Sequence, residues 1–189
     1  METMLSICVG VGLSAACGFR IFVPLLVMSI ASRSGHLTLA HGFDWISTDP
    51  ALIAFSVATV VEILGYYIPW IDHVLDTVAS PAAVIAGTIV TASMVSDMSP
   101  FLKWTLAVIA GGGAAGLVQG TTVLTRGASL ASTAGLANPV VATLELGGAV
   151  ITSVMAVLVP VLVLVLLVVF FVFFGRKLYR MRMRTQVAT

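Results

Sequence analysis

Long apolar stretches recur along this chain, separated by short segments in which turn-forming and polar residues collect. The apolar runs fall at about 4–30, 50–68, 80–96, 101–128, 138–155 and 157–175. No charged residue lies between Asp76 and Asp97, between Lys103 and Arg126, or between Glu145 and Arg176. Each run can supply the roughly 20 apolar residues that a helix needs to cross a ~30 Å hydrocarbon core. The pattern predicts an all-α polytopic membrane protein of about six transmembrane helices, some of them broken at Gly or Pro. Only MAVLVP, with Pro160, separates the fifth and sixth runs, so one kinked helix is the alternative there.

Composition agrees, with 59% hydrophobic and 9% charged residues and a mean hydropathy of +1.13. The net charge of +1 is uninformative, but its distribution is not. Arg176, Lys177, Arg180, Arg182 and Arg184 directly follow the last apolar run. Basic residues beside a span favour the cytoplasmic side, which predicts a single transmembrane domain over 1–175 in the cytoplasmic (inner) membrane and a basic cytoplasmic tail over 176–189. That role, in place of nucleic-acid binding, is the one read here. The N-terminus lacks the basic n-region of a signal peptide, so its apolar run is read as an uncleaved first span. Cys8 and Cys17, both inside it, indicate neither a disulfide nor a metal site.

Self-comparison shows a faint duplication. Sliding 12–35 onto 112–135 matches Gly12 with Gly112, Ala15 with Ala115, Ser29 with Ser129 and Gly35 with Gly135. The next span of each half carries Val61-Glu62-Ile63-Leu64-Gly65 or Leu144-Glu145-Leu146-Gly147-Gly148. Halves of three spans each, 1–98 and 99–175, would be oppositely oriented, an inverted repeat of the kind found in many secondary transporters. Gly10, Ser14 and Gly18, and likewise Gly112, Gly116 and Gly120, recur every four residues on one helix face. Close helix packing is the plain explanation. The polar residues that follow, Arg20 in one half and Thr121, Thr122 and Arg126 in the other, also fit a discontinuous helix.

Charges inside such runs are the candidate chemistry, because a charge in hydrocarbon costs at least ~2.5–3.5 kcal/mol and so faces a partner or an aqueous cavity. Arg20, Glu62 and Glu145 are the leading site residues, with Asn138, Gln119, Thr121, Thr122 and Arg126 as secondary contacts on an ion or substrate pathway. Arg20 needs an anionic partner, most simply Glu62, Glu145 or a bound anion. Arg126, nearer the end of its span, is expected to snorkel toward the headgroups. Gly65 and Gly148, three residues after each glutamate, predict a gap beside each carboxylate. Asn138, Glu145 and Thr152 form a polar stripe, which suits either a pathway lining or interhelical hydrogen bonds. Asp72, His73 and Asp76 are a weaker candidate for a proton or metal cluster, since hard cations need more oxygen ligands. No catalytic motif and no cofactor motif is present.

Four segments, GLSAACGFRIFVPLL (12–26), PWIDHVLD (69–76), GLVQGTTVLTR (116–126) and NPVVATLE (138–145), resemble a family of small bacterial integral membrane proteins described as domain of unknown function 4126. The resemblance implies a membrane protein and brings no activity. The residues themselves favour a small transporter or channel for an ion or small polar solute, in contact with the lipid bilayer, and so narrow a bundle suits a homo-oligomer. A non-transporting scaffold or interaction subunit is the alternative, and an intramembrane enzyme acting on lipid a weaker one. An unpaired Glu or Arg at a wet cavity would favour transport, complete internal pairing the scaffold, and a cavity opening sideways to lipid the enzyme.

Overall fold

The computed structural model describes residues 2–68 and 71–186, and the side chains of Asp72, His73, Phe174 and positions 177–186 lie outside that description. Every regular element among the described residues is helical. The order is α1 (Glu2–Cys17), α2 (Phe22–Arg33), a 3-10 turn (Asp44–Ser47), α3 (Asp49–Tyr66), α4 (Ile71–Met94), α5 (Pro100–Leu106), a π-helical stretch (Ala107–Gly112), α6 (Gly113–Thr133), α7 (Asn138–Leu158) and α8 (Pro160–Gln186). Local chemistry sets several starts. Thr48 and Ser99 cap the helices after them, and Pro50, Pro100 and Pro139 occupy first-turn positions where a missing N–H costs nothing.

Among the described residues, four helices are long and apolar enough to cross a membrane: Asp49–Tyr66, Val74–Met94, the continuous Pro100–Thr133 and Asn138–Leu158. Large apolar side chains cover the outside, among them Ile53, Val61, Ile109, Leu144 and Ile151, whereas Arg20, Glu62, Arg126 and Glu145 are buried. That inversion of the usual soluble pattern marks a membrane protein.

The first apolar run departs from expectation. In place of one crossing over 4–30, α1 and α2 form an antiparallel hairpin. Ser14 meets Gly87 and Thr91 on α4, while Gly10 lies against Thr91 and Met94, so α1 runs opposite to α4. Phe22 meets Glu62 near the end of α3 and Arg33 pairs with Asp49 at its start, so α2 runs opposite to α3. The helices α1 and α2 hold 16 and 12 residues, about 24 and 18 Å. Hydropathy reads such a hairpin as one long span because both of its arms are apolar.

Small residues let this hairpin enter the bundle. A Cβ at Gly87 would lie 2.6 Å from that of Ala115 and 2.8 Å from the Gly111 carbonyl, and one at Gly18 would meet Val118 Cβ at 2.6 Å. Close packing therefore accounts for most of the glycine stripe, although Gly120 faces open space. The same contacts set α1 beside α6 and parallel to it, with Ser14 and Ala115 both against Gly87. An inverted repeat would have set these two helices in opposite directions. The fourth run also stays continuous through Gly120, where a break is expected from the sequence; its irregularity is the π-helical stretch, pressed by Gly111 against Thr91.

A straight helix would place residues 156 and 163 about 10 Å apart along its axis. Here Ala156 and Val163 both converge on Gly12, so the chain turns sharply at Val159–Pro160 and α7 and α8 are separate helices. Cys8 and Cys17 are buried free thiols.

Candidate functional site

The hairpin tip needs partners before any function is considered. Residues 18–21 interrupt the helix, and backbone groups freed inside an apolar bundle must find acceptors. Gly18, Phe19 and Arg20 donate to carbonyls of the last turn of α1. Ile21 N–H donates to Glu62 Oε1 at 2.8 Å and Phe22 N–H to Oε2 at 3.1 Å. Glu62 thus caps α2 from a neighbouring helix, at the end where the helix dipole favours negative charge.

The tip projects Arg20 into the bundle, where three further helices supply its surroundings. Arg126 on α6 forms a bidentate pair with Glu145 on α7, Nε to Oε1 at 3.0 Å and Nη2 to Oε2. Arg20 Nη2 lies 3.5 Å from the same Oε2 and donates to the Ala142 carbonyl at 3.0 Å. One carboxylate is therefore shared by two guanidiniums. Both stack on the Tyr66 ring, their central carbons 3.7 Å (Arg20) and 4.3 Å (Arg126) from its centroid. Asp76 Oδ1 on α4 stands 3.8 Å from Arg126 Nε. Arg20 Nε and Nη1 and Arg126 Nη1 have no hydrogen-bond partner among the described residues.

Arg126 does not snorkel: it is 4% exposed. It lies seven residues from the end of α6, and Glu145 seven from the start of α7, so the pair sits about 10 Å below that end of the bundle. The gaps anticipated beside the glutamates are filled, that at Gly65 by Leu75 and that at Gly148 by the Phe19 ring. Gln119, Thr122 and Asn138 are buried on the same two helices, and Thr121 is half-buried. The Thr121 and Thr122 hydroxyls donate to the Val118 and Gln119 carbonyls of their own helix, so these residues flank the charged centre without joining it.

Asp76 faces Arg126, and the other two members of the anticipated cluster, Asp72 and His73, have side chains outside the described residues. Among the described residues no three of His, Cys, Asp and Glu are grouped to hold a metal ion. Sequence reasoning missed Tyr66 and Ser129. Tyr66 follows Glu62 by four residues and so shares its helix face. Ser129, whose buried Oγ lacks a partner among the described residues, follows Arg126 by three.

A groove of about 910 Å³ runs between α3 and α4 and opens to the side of the bundle. Ala54, Ala58 and Ala82 contribute to its hollow, and Glu62 and Tyr66 are the polar residues that line it. The groove and the charged centre thus share two side chains.

Residues 7–180 match the family described as Domain of unknown function (DUF4126). The chain belongs to this family. No curated protein and no solved structure matches it. In this DUF4126 protein, the four segments that carry the resemblance meet at one place. The first holds Arg20, and the other three end on Asp76, Arg126 and Glu145. Segments scattered over more than a hundred residues of sequence thus supply the charged centre.

Proposed function

We propose that this DUF4126 protein is a small integral membrane transporter or channel, passing an ion or small polar solute by way of the charged centre at the hairpin tip. We place it in the cytoplasmic membrane with the C-terminus inside, on the strength of the basic tail. The observation that carries the reading is the sharing of Glu145. Arg126 holds it with two hydrogen bonds, whereas Arg20, almost fully buried, reaches it only at 3.5 Å and has two nitrogens without a hydrogen-bond partner among the described residues.

A network that only locked the bundle would satisfy each buried charge. This one has a second arrangement within reach: Glu145 passes to Arg20 while Arg126 turns to Asp76, already 3.8 Å away. Such an exchange suits a gate, since intramembrane charges that change partners mark ion and substrate pathways. The buried Gln119, Thr122, Ser129 and Asn138 extend the polar lining along α6 and α7.

The test is flux into liposomes across a panel of ions and small solutes. Glu145→Gln and Arg20→Ala, checked for folding by gel filtration, should each reduce a flux that the wild type supports. Unchanged flux in both folded variants refutes the proposal. The sideways groove is the feature that a lipid-acting enzyme would need. Among the described residues, however, its polar lining is a helix-capping carboxylate and a stacked phenol, with no nucleophile beside a base.

A further inference from the structure

The groove between α3 and α4 has a chemistry of its own. At about 910 Å³ it falls in the range of small-molecule sites, and it opens toward the position that lipid occupies around a membrane-spanning bundle. Among the described residues its wall is apolar except for Glu62 and Tyr66, and none of the lining side chains is cationic. A carboxylate and an aromatic ring at the end of an apolar trough are the two groups that attract a positive charge stripped of water.

Glu62 keeps capacity for that role. A carboxylate offers about four lone-pair sites, and the N–H groups of Ile21 and Phe22 use two.

We infer that the groove between α3 and α4 binds a hydrophobic organic cation, its apolar body against the alanine-lined trough and its charge beside Glu62 and Tyr66. The inference rests on the transport reading for what the ligand is bound for, and it names the class of solute. Entry is lateral, from the lipid side, so the solute reaches Glu62 without crossing an aqueous vestibule.

The full chain in phosphatidylcholine nanodiscs, measured above empty nanodiscs, provides the test. Tetraphenylphosphonium and tetraphenylborate have nearly the same shape and opposite charge. Saturable binding of the phosphonium is expected, with the borate at least ten-fold weaker. Glu62→Gln should weaken phosphonium binding at least ten-fold, and so should Ala58→Phe, which fills the trough and leaves the cap on α2 untouched. Ala58→Phe therefore decides the matter if Glu62→Gln does not fold. Equal binding of the two ions, or wild-type binding by the folded Ala58→Phe variant, overturns the inference. Saturable phosphonium binding without any flux removes the transport reading and leaves this site standing. Flux of small ions with no saturable phosphonium binding does the reverse.

Discussion

Removing Glu145 should destabilise the protein more than removing Arg126, although the two form one bidentate pair. The asymmetry comes from Arg20. Glu145→Ala strands two buried guanidiniums, leaving Arg20 with the Ala142 carbonyl and Arg126 with Asp76 at 3.8 Å. Breaking a buried pair by removing one partner costs about 3–5 kcal/mol. Arg126→Met instead leaves Glu145 next to Arg20, which lies 3.5 Å away and whose Nε and Nη1 have no hydrogen-bond partner among the described residues. The loss is then one set of charge-assisted hydrogen bonds, about 1.5–3 kcal/mol, less what Arg20 restores. Combining the two substitutions should cost no more than Glu145→Ala plus a fraction of the Arg126→Met effect, a coupling of about 1–3 kcal/mol. Unfolding in mixed micelles by titration with sodium dodecyl sulfate, followed by circular dichroism, measures all three. Equal losses for the two single variants, or a larger loss for Arg126→Met, would refute the shared-carboxylate argument.

Gly87→Ala should cost about 1–3 kcal/mol, because its Cβ would press on Ala115 and the Gly111 carbonyl, whereas Gly120→Ala should be neutral or stabilise by up to about 1 kcal/mol; the same titration separates them. Cysteines placed at Glu2 and Ser34, in a chain lacking Cys8 and Cys17, should react with a membrane-impermeant thiol reagent from the same side, and labelling from opposite sides would rule out the α1–α2 hairpin. Asp49→Asn should change stability by less than about 1 kcal/mol, since its pair with Arg33 at 2.6 Å is exposed to solvent. A larger drop in the unfolding midpoint would show that this pair anchors the hairpin.

The helices were legible from the apolar runs because a chain in lipid must satisfy its backbone within each segment, and long uncharged runs have few other solutions. The hairpin was not. Gly18, Arg20 and Pro24 flagged a break, but hydropathy carries no direction, and the reversal is visible only in the contacts of α2 with the whole length of α3. The buried charges were legible for an energetic reason: charge in such a chain is costly and so is placed deliberately. Their pairing was not, because it depends on relative heights. Arg126 looks peripheral when distance is counted along its own helix. In the bundle, Glu145 on α7 stands at the same height and draws it inward.

Glu62 links the two proposed sites through one set of hydrogen bonds. It lines the groove and it also caps α2, so a cation drawn to its carboxylate competes with the N–H groups of Ile21 and Phe22. Weakening that cap frees the hairpin tip from α3, and the tip carries Arg20, whose hold on Glu145 is the looser of the two. On this reading, occupancy of the groove changes which guanidinium keeps Glu145. A ligand can shift such an equilibrium only by its differential affinity for the two arrangements. Here that difference has a physical source, since the cap on α2 is intact in one arrangement and contested in the other. Glu62→Gln keeps an acceptor for one N–H and removes the charge, so it should leave the hairpin folded while uncoupling cation binding from movement of Arg20. A spin label at Phe19 in the hairpin tip, paired with one at the exposed Leu144 on α7, would report that movement as a change in distance on adding tetraphenylphosphonium. The wild type should show the change and Glu62→Gln should not. An identical response in both would mean that the groove and the charged centre act independently.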